Sequence, residues 1–222
     1  LGNMFRNLGE PSKALAYEEK ALAIQKKALP PEHPDLATSY NNLASTYGAL
    51  GDHQQRLTFN LKALAILEKA LPPEHPALAT SNNNLASTYG ALGDHQQSLT
   101  FHLKALAIWK KALPPEHSDL AISYSNLAAT YGALGDHQQR LAFNLKALAI
   151  REKALPPEHP DLAQSYNNLA WTYDALGETE KAIPLMRRAL DIFEKALPAT
   201  HPNIAVVKKS LAILEEKIRN KQ

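Results

Sequence analysis

The chain has 222 residues, 45% of them hydrophobic and 21% charged, with a formal net charge of +2 at pH 7, the balance of a folded protein rather than a disordered one. Lys, Glu, Asn or Gln interrupt the apolar positions every few residues, so no run nears the roughly 20 needed to span a bilayer, and the interspersed charges leave no electrostatic footprint for nucleic acid or anionic lipid. Cysteine is absent, which excludes disulfides, thiolate metal sites and cysteine nucleophiles; with no secretory signal in "LGNMFRNLGEPSKAL", a cytoplasmic location is expected.

Residues 1–32 form a partial unit, in which Leu1 aligns with Leu43. The chain is therefore read as starting inside a helix, as a piece of a longer array. From there an internal repeat sets the organisation. His33, His75, His117, His159 and His201 recur every 42 residues, which defines full repeats 33–74, 75–116, 117–158 and 159–200 and a C-terminal capping helix over 201–222, all within one solenoid domain, 1–222.

Within a repeat, Leu36, Tyr40, Leu43, Ala44, Tyr47 and Leu50 are spaced by threes and fours, the mark of one helix face. Pro34 suits its first turn and Gly51 the left-handed position after its end, which predicts helix A over about residues 34–50. Asp52 caps a second helix, B, with Gln55 as capping-box partner, and Pro72-Pro73 stops it. Helix B carries two apolar arcs, one of Leu57, Leu61, Leu64 and Ala65 and the other of Phe59, Ala63, Ile66 and Ala70. A helix with two apolar sides lies between neighbours, as stacked helix pairs require.

Tyr40, Leu43, Ala44 and Tyr47, repeated as Tyr124, Leu127, Ala128 and Tyr131, resemble the helix A pattern of the tetratricopeptide repeat. The period, the "HPDLA" start and the "NNLA" core are similar to the kinesin light chain subtype, whose units are longer than the usual length of about 34 residues. The resemblance implies an all-α, right-handed superhelical solenoid of antiparallel helix pairs, about eleven helices, acting as a protein-binding module. One departure stands out. Where the family has small and then aromatic residues in helix B, this chain has Arg56 and Asn60, Ser98 and His102, and Arg140 and Asn144; only Ala182 and Met186 look ordinary. Either helix B is rotated so that the Leu57/Leu61 arc packs, which is the expectation, or Arg56 and Asn60 snorkel from a crowded site.

The histidines recur once per repeat, too far apart to share a metal, so they are read as helix-start residues and no metal site is expected. Ser39 and Ser45 are copied with the repeats, and no phosphate-cradling loop follows a strand, so no catalytic residue, enzyme activity or cofactor is expected.

By the resemblance, helix A lines the concave side, and Thr38, Asn41, Asn42 and Ser45, with Thr80, Asn83, Asn84, Ser87, Ser125, Asn126, Asn167 and Asn168, are the candidate peptide-binding residues. An Asn amide has donors and an acceptor, so a ladder of them can pair with an extended backbone; the alternative is that they bond neighbouring helices and hold the stack in register. Trp171 is either an aromatic contact in that groove or packing for the last helices. From Leu36 to Leu50 there is no Lys, Arg, Asp or Glu, which counts against a charged clamp on a carboxylate.

Blocks 33–74 and 75–116 differ at six positions, three of which, Arg56, Asn60 and Leu67, share one arc of helix B. That arc is either a partner-reading stripe or an exposed face free to drift. The expected partner is a protein or peptide, as an extended segment or a helix, and neither nucleic acid nor membrane. A spacer or scaffold that self-associates through its solenoid ends is the competing reading.

Overall fold

The computed structural model describes residues 2–220. They form α1 (Gly2–Asn7), α2 (Pro11–Ala28), α3 (Pro34–Ala49), α4 (His53–Ala70), α5 (Pro76–Ala91), α6 (His95–Ala112), α7 (Ser118–Ala133), α8 (His137–Ala154), α9 (Pro160–Ala175), α10 (Thr179–Ala196) and α11 (Pro202–Arg219). No strand occurs among the described residues. The chain divides into two compact units, Leu1–Ala112 and Leu113–Gln222. In the first, each helix from α1 to α6 packs on the next; in the second, α7 to α11 do the same.

The helix ends are built as the sequence predicts, with one correction. In all five copies the histidine caps helix A: Nδ1 of His33, His75, His117, His159 and His201 accepts the backbone N–H two residues on, at 3.1 to 3.2 Å. At the other end Gly51 has φ +77, and the N–H of Asp52 reaches back to the carbonyl of Tyr47 at 2.9 Å, which closes the last turn as in a Schellman motif. The carboxylate of Asp52 then accepts from the N–H of Gln55 at 3.0 Å. Because the Asp52 N–H is already engaged by Tyr47, the reciprocal half of the expected capping box, from the Gln55 side chain, has no role. The same cap recurs at Asp136, which accepts from Gln139 at 3.0 Å. Asp136→Ala should cost about 1 kcal/mol and lower the melting temperature, whereas Asp136→Asn, which keeps a side-chain acceptor, should be nearly silent in the same thermal melt.

The expected rotation of helix B does not occur. Leu61 is 42% exposed and Ala65 is exposed, whereas Asn60 is 3% exposed and Ala63, Leu64, Ile66 and Leu67 are buried. Two contacts let polar residues point inward. Gly48 has no side chain, and the stem of Arg56 lies where its Cβ would be, with Cδ 3.0 Å from that point; Arg140 does the same over Gly132. Asn60 Nδ2 donates to Thr88 Oγ1 in the next pair at 2.9 Å. Helix B is still buried on two sides, as its arcs imply: α4 packs on both α3 and α5.

Candidate functional site

A polar contact recurs 28 residues apart between helix B of one pair and helix A of the next. Glu18 accepts from Thr46 at 2.6 Å, Asn60 donates to Thr88, and Asn144 donates to Thr172 at 3.0 Å. Each threonine in this row is buried. At the last pair the corresponding residues are Met186 and Leu214, both fully buried in one apolar cluster. At the first pair Glu18 is neutralised by Arg6 at 2.9 Å, and Arg6 also donates to the carbonyl of Asn42 at 2.7 Å. The arc of Asn60 and Leu67 is thus interior, because both residues are buried. For Asn60 and Leu67 this excludes both the partner-reading stripe and the exposed face that the sequence differences suggest, while Arg56, the third member, is half-buried.

Within each A helix the predicted binding residues are adjacent or three to four positions apart, on one face of that helix, at graded depth. Thr38, Ser45, Thr80 and Ser87 are exposed, and Asn41, Asn42, Asn83, Asn84, Ser125, Asn126, Asn167, Asn168 and Trp171 are half-buried. Their hydrogen bonds separate them further. The carbonyl of Asn84 accepts from Thr88 at 2.8 Å and that of Asn168 from Thr172 at 2.7 Å, while the Asn168 side chain accepts from Gln164 at 2.9 Å. The side-chain oxygens of Asn41 and Asn167 are turned inward with no partner among the described residues. Such an unpaired acceptor contributes nothing to stack register and costs stability. Trp171 packs against the cluster of the second unit while keeping part of its ring at the surface.

Charge near this face comes from helix B, which reading helix A alone misses. Arg56 and Arg140 cross Gly48 and Gly132, and burial lowers the pKa of each guanidinium. In the last pair Asp174 replaces the glycine and accepts from Lys217 at 2.6 Å and from Thr179 at 2.8 Å. The signal was available in sequence as a glycine on helix A followed eight residues later by arginine, a spacing that becomes meaningful only once the turn between them is known.

Outside this face the structure gathers little reactive chemistry. Among the described residues no group of three or more His, Cys, Asp or Glu could hold a metal ion, and no helix is long and apolar enough to cross a membrane.

A tetratricopeptide repeat family model matches residues 1–69, 57–111, 77–153 and 119–195. Among solved structures, a kinesin light chain-type protein of Podosopora anserina with nearly identical TPR-like repeats is 32% identical, covering 90% of this chain and 94% of that one, with a TM-score of 0.79. BtubC (BKLC) of P. vanneervenii is 28% identical over 91% of this chain and 80% of that one, at a TM-score of 0.80. The apo form of RapI, 17% identical with a TM-score of 0.77, shares the fold over 88% of this chain and 68% of that one. No curated protein matches the chain.

Proposed function

Because the chain belongs to the tetratricopeptide repeat family and is kinesin light chain-like, a fold that serves as a scaffold for protein–protein interaction, we propose that it is a non-enzymatic module binding an extended peptide or a partner helix along the Asn-bearing side of its A helices. One observation carries this reading. Ties between successive pairs are made elsewhere, by Asn60 with Thr88 and by Asn144 with Thr172, while the amide oxygens of Asn41 and Asn167 have no partner among the described residues. Their NH2 groups, opposite the buried oxygens, are what a carbonyl of the ligand would meet. The side chains of helix A from Leu36 to Leu50 and from Leu78 to Leu92 carry no charge, and the cations beside this face, Arg56 and Arg140, come from helix B, so the groups that helix A itself offers a peptide backbone are amides and hydroxyls.

The test is a pulldown from lysate with mass spectrometry, comparing the native chain with Asn41→Ala/Asn83→Ala/Asn167→Ala. Partners should be lost from the variant by about tenfold or more, with helicity unchanged and the melting temperature no lower. If melting drops and the captured proteins stay the same, these amides are structural and the proposal fails.

A further inference from the structure

The near-identical repeats make a natural comparison of one site in several copies. In the fourth repeat, Tyr166 sits between helices B: its hydroxyl donates to Glu152 at 2.5 Å, and the Arg188 guanidinium lies 4.5 Å from its ring centroid. Tyr40 holds the same place in the first full repeat, with Lys26 and Lys62 at 5.6 and 5.9 Å from its ring. At the equivalent of Glu152 in the last pair, Glu194 pairs with Lys208 at 2.7 Å.

The second full repeat keeps the surroundings and lacks the ring. Asn82 stands where the tyrosines are, and its amide turns back to donate to the carbonyl of Leu78 at 2.7 Å. What remains is a pocket of about 380 Å³ walled by Glu68, Pro73, Leu78, Asn82, Lys104 and Ile108. Glu68 corresponds to Glu152, Lys104 to Arg188, and Leu78 and Ile108 to Leu162 and Ile192, which are buried around Tyr166. An acceptor, a cation and two apolar walls are thus in place around a missing phenol.

We propose that this pocket is a socket for a tyrosine side chain presented by a partner protein. The ring would pack on Leu78 and Ile108 beside the Lys104 ammonium, and its hydroxyl would donate to Glu68. A lysine could satisfy Glu68, as Lys208 satisfies Glu194, but it would bring its charge against Lys104. An aromatic ring turns that same cation into an attraction. Phenylalanine would keep the apolar contact and forgo the charge-assisted hydrogen bond. The socket lies on different residues from the Asn-bearing face, so the two readings can fail separately.

The probe is N-acetyl-tyrosinamide, titrated into the full chain and followed by NMR at the Asn82 side-chain amide and the Leu78 and Ile108 methyls. Saturable shifts at those three residues, with millimolar affinity for so small a ligand, are expected. N-acetyl-phenylalaninamide should bind about tenfold more weakly, the ratio for one hydrogen bond to a charged acceptor, and N-acetyl-lysinamide should not shift these signals. Asn82→Tyr should fill the pocket with the chain's own ring and abolish binding while leaving the circular dichroism spectrum unchanged. Glu68→Ala, at an exposed position, should remove the preference for tyrosine. The proposal is overturned if the three residues do not respond, if the phenyl and phenol probes bind alike to the native chain, or if the Asn82→Tyr chain, folded, still binds. Shifts of the same signals on protein dilution without probe would show a second copy in the socket and would likewise overturn it.

Discussion

Thr172→Val is expected to destabilise the protein by about 2 kcal/mol, while Asn144→Leu combined with Thr172→Val should return stability to within about 1 kcal/mol of the native chain. The first change removes the oxygen that accepts from the Asn144 Nδ2 and leaves that amide inside the stack, where Asn144 is 5% exposed and Thr172 fully buried. A buried donor without a partner costs its full desolvation, but two matched apolar side chains have nothing left to satisfy. The chain already carries that solution once, since Met186 and Leu214 occupy the corresponding positions of the last pair and are fully buried. Chemical denaturation of the four members of the cycle measures the coupling, expected at about 1 to 3 kcal/mol. If Thr172→Val is neutral, or if the two changes add, the contact does not hold the register of the pairs.

His102 should make stability fall as pH is lowered from about 6.5 towards 4. It stands in the position of Asn60 and Asn144, is 4% exposed, and its Nδ1 has no partner among the described residues. Burial penalises the imidazolium and lowers the pKa to about 4, while the unfolded chain titrates near the ordinary value of about 6.5. Between those values the unfolded state binds more protons than the folded state, so the contribution is complete above pH 6.5 and lost as pH drops through that window. Its full size is about 3 kcal/mol. Carboxylates add their own acid dependence, so the measurement is the difference between the native chain and His102→Asn, which places the side chain of the neighbouring copies at this site. That difference should be flat above pH 7 and should shift by about 3 kcal/mol by pH 4. A flat difference throughout would mean that His102 titrates normally in the folded protein.

Much of the local structure was legible before any coordinates. The histidine caps, the left-handed Gly51 and the Asp52 cap each depend on groups within a few residues of one another, so the chain order already places donor beside acceptor. The resemblance carried the helix A pattern in the same way, because Leu43, Ala44 and their copies are buried in each pair. Helix B resisted that reading. Leu57 and Leu61 look like a packing arc on a helical wheel, yet a wheel weighs only the helix's own side chains. It does not see the space above Gly48 that receives Arg56, nor the hydroxyl of Thr88 that receives Asn60.

Of the candidate site, sequence marked the residues but not their depth. Asn41 and Asn42 are adjacent, yet the side-chain oxygen of Asn41 is buried without a partner among the described residues, while the backbone carbonyl of Asn42 accepts from Arg6, 36 positions away. The exchange of Tyr40 for Asn82 was visible as one of six differences, but that it empties a pocket follows only from the walls supplied by two other helices.

By itself, then, the sequence determined the period, the helices, their caps and the family, because these arise from contacts local in the chain and are repeated in register. The tertiary structure alone decided which face of helix B is inside, which polar groups pair across 28 residues, and where a ring is missing. Those outcomes turn on the volume and hydrogen-bonding capacity of a neighbour from another helix pair, and burial makes the difference between a satisfied and an unsatisfied group worth kilocalories.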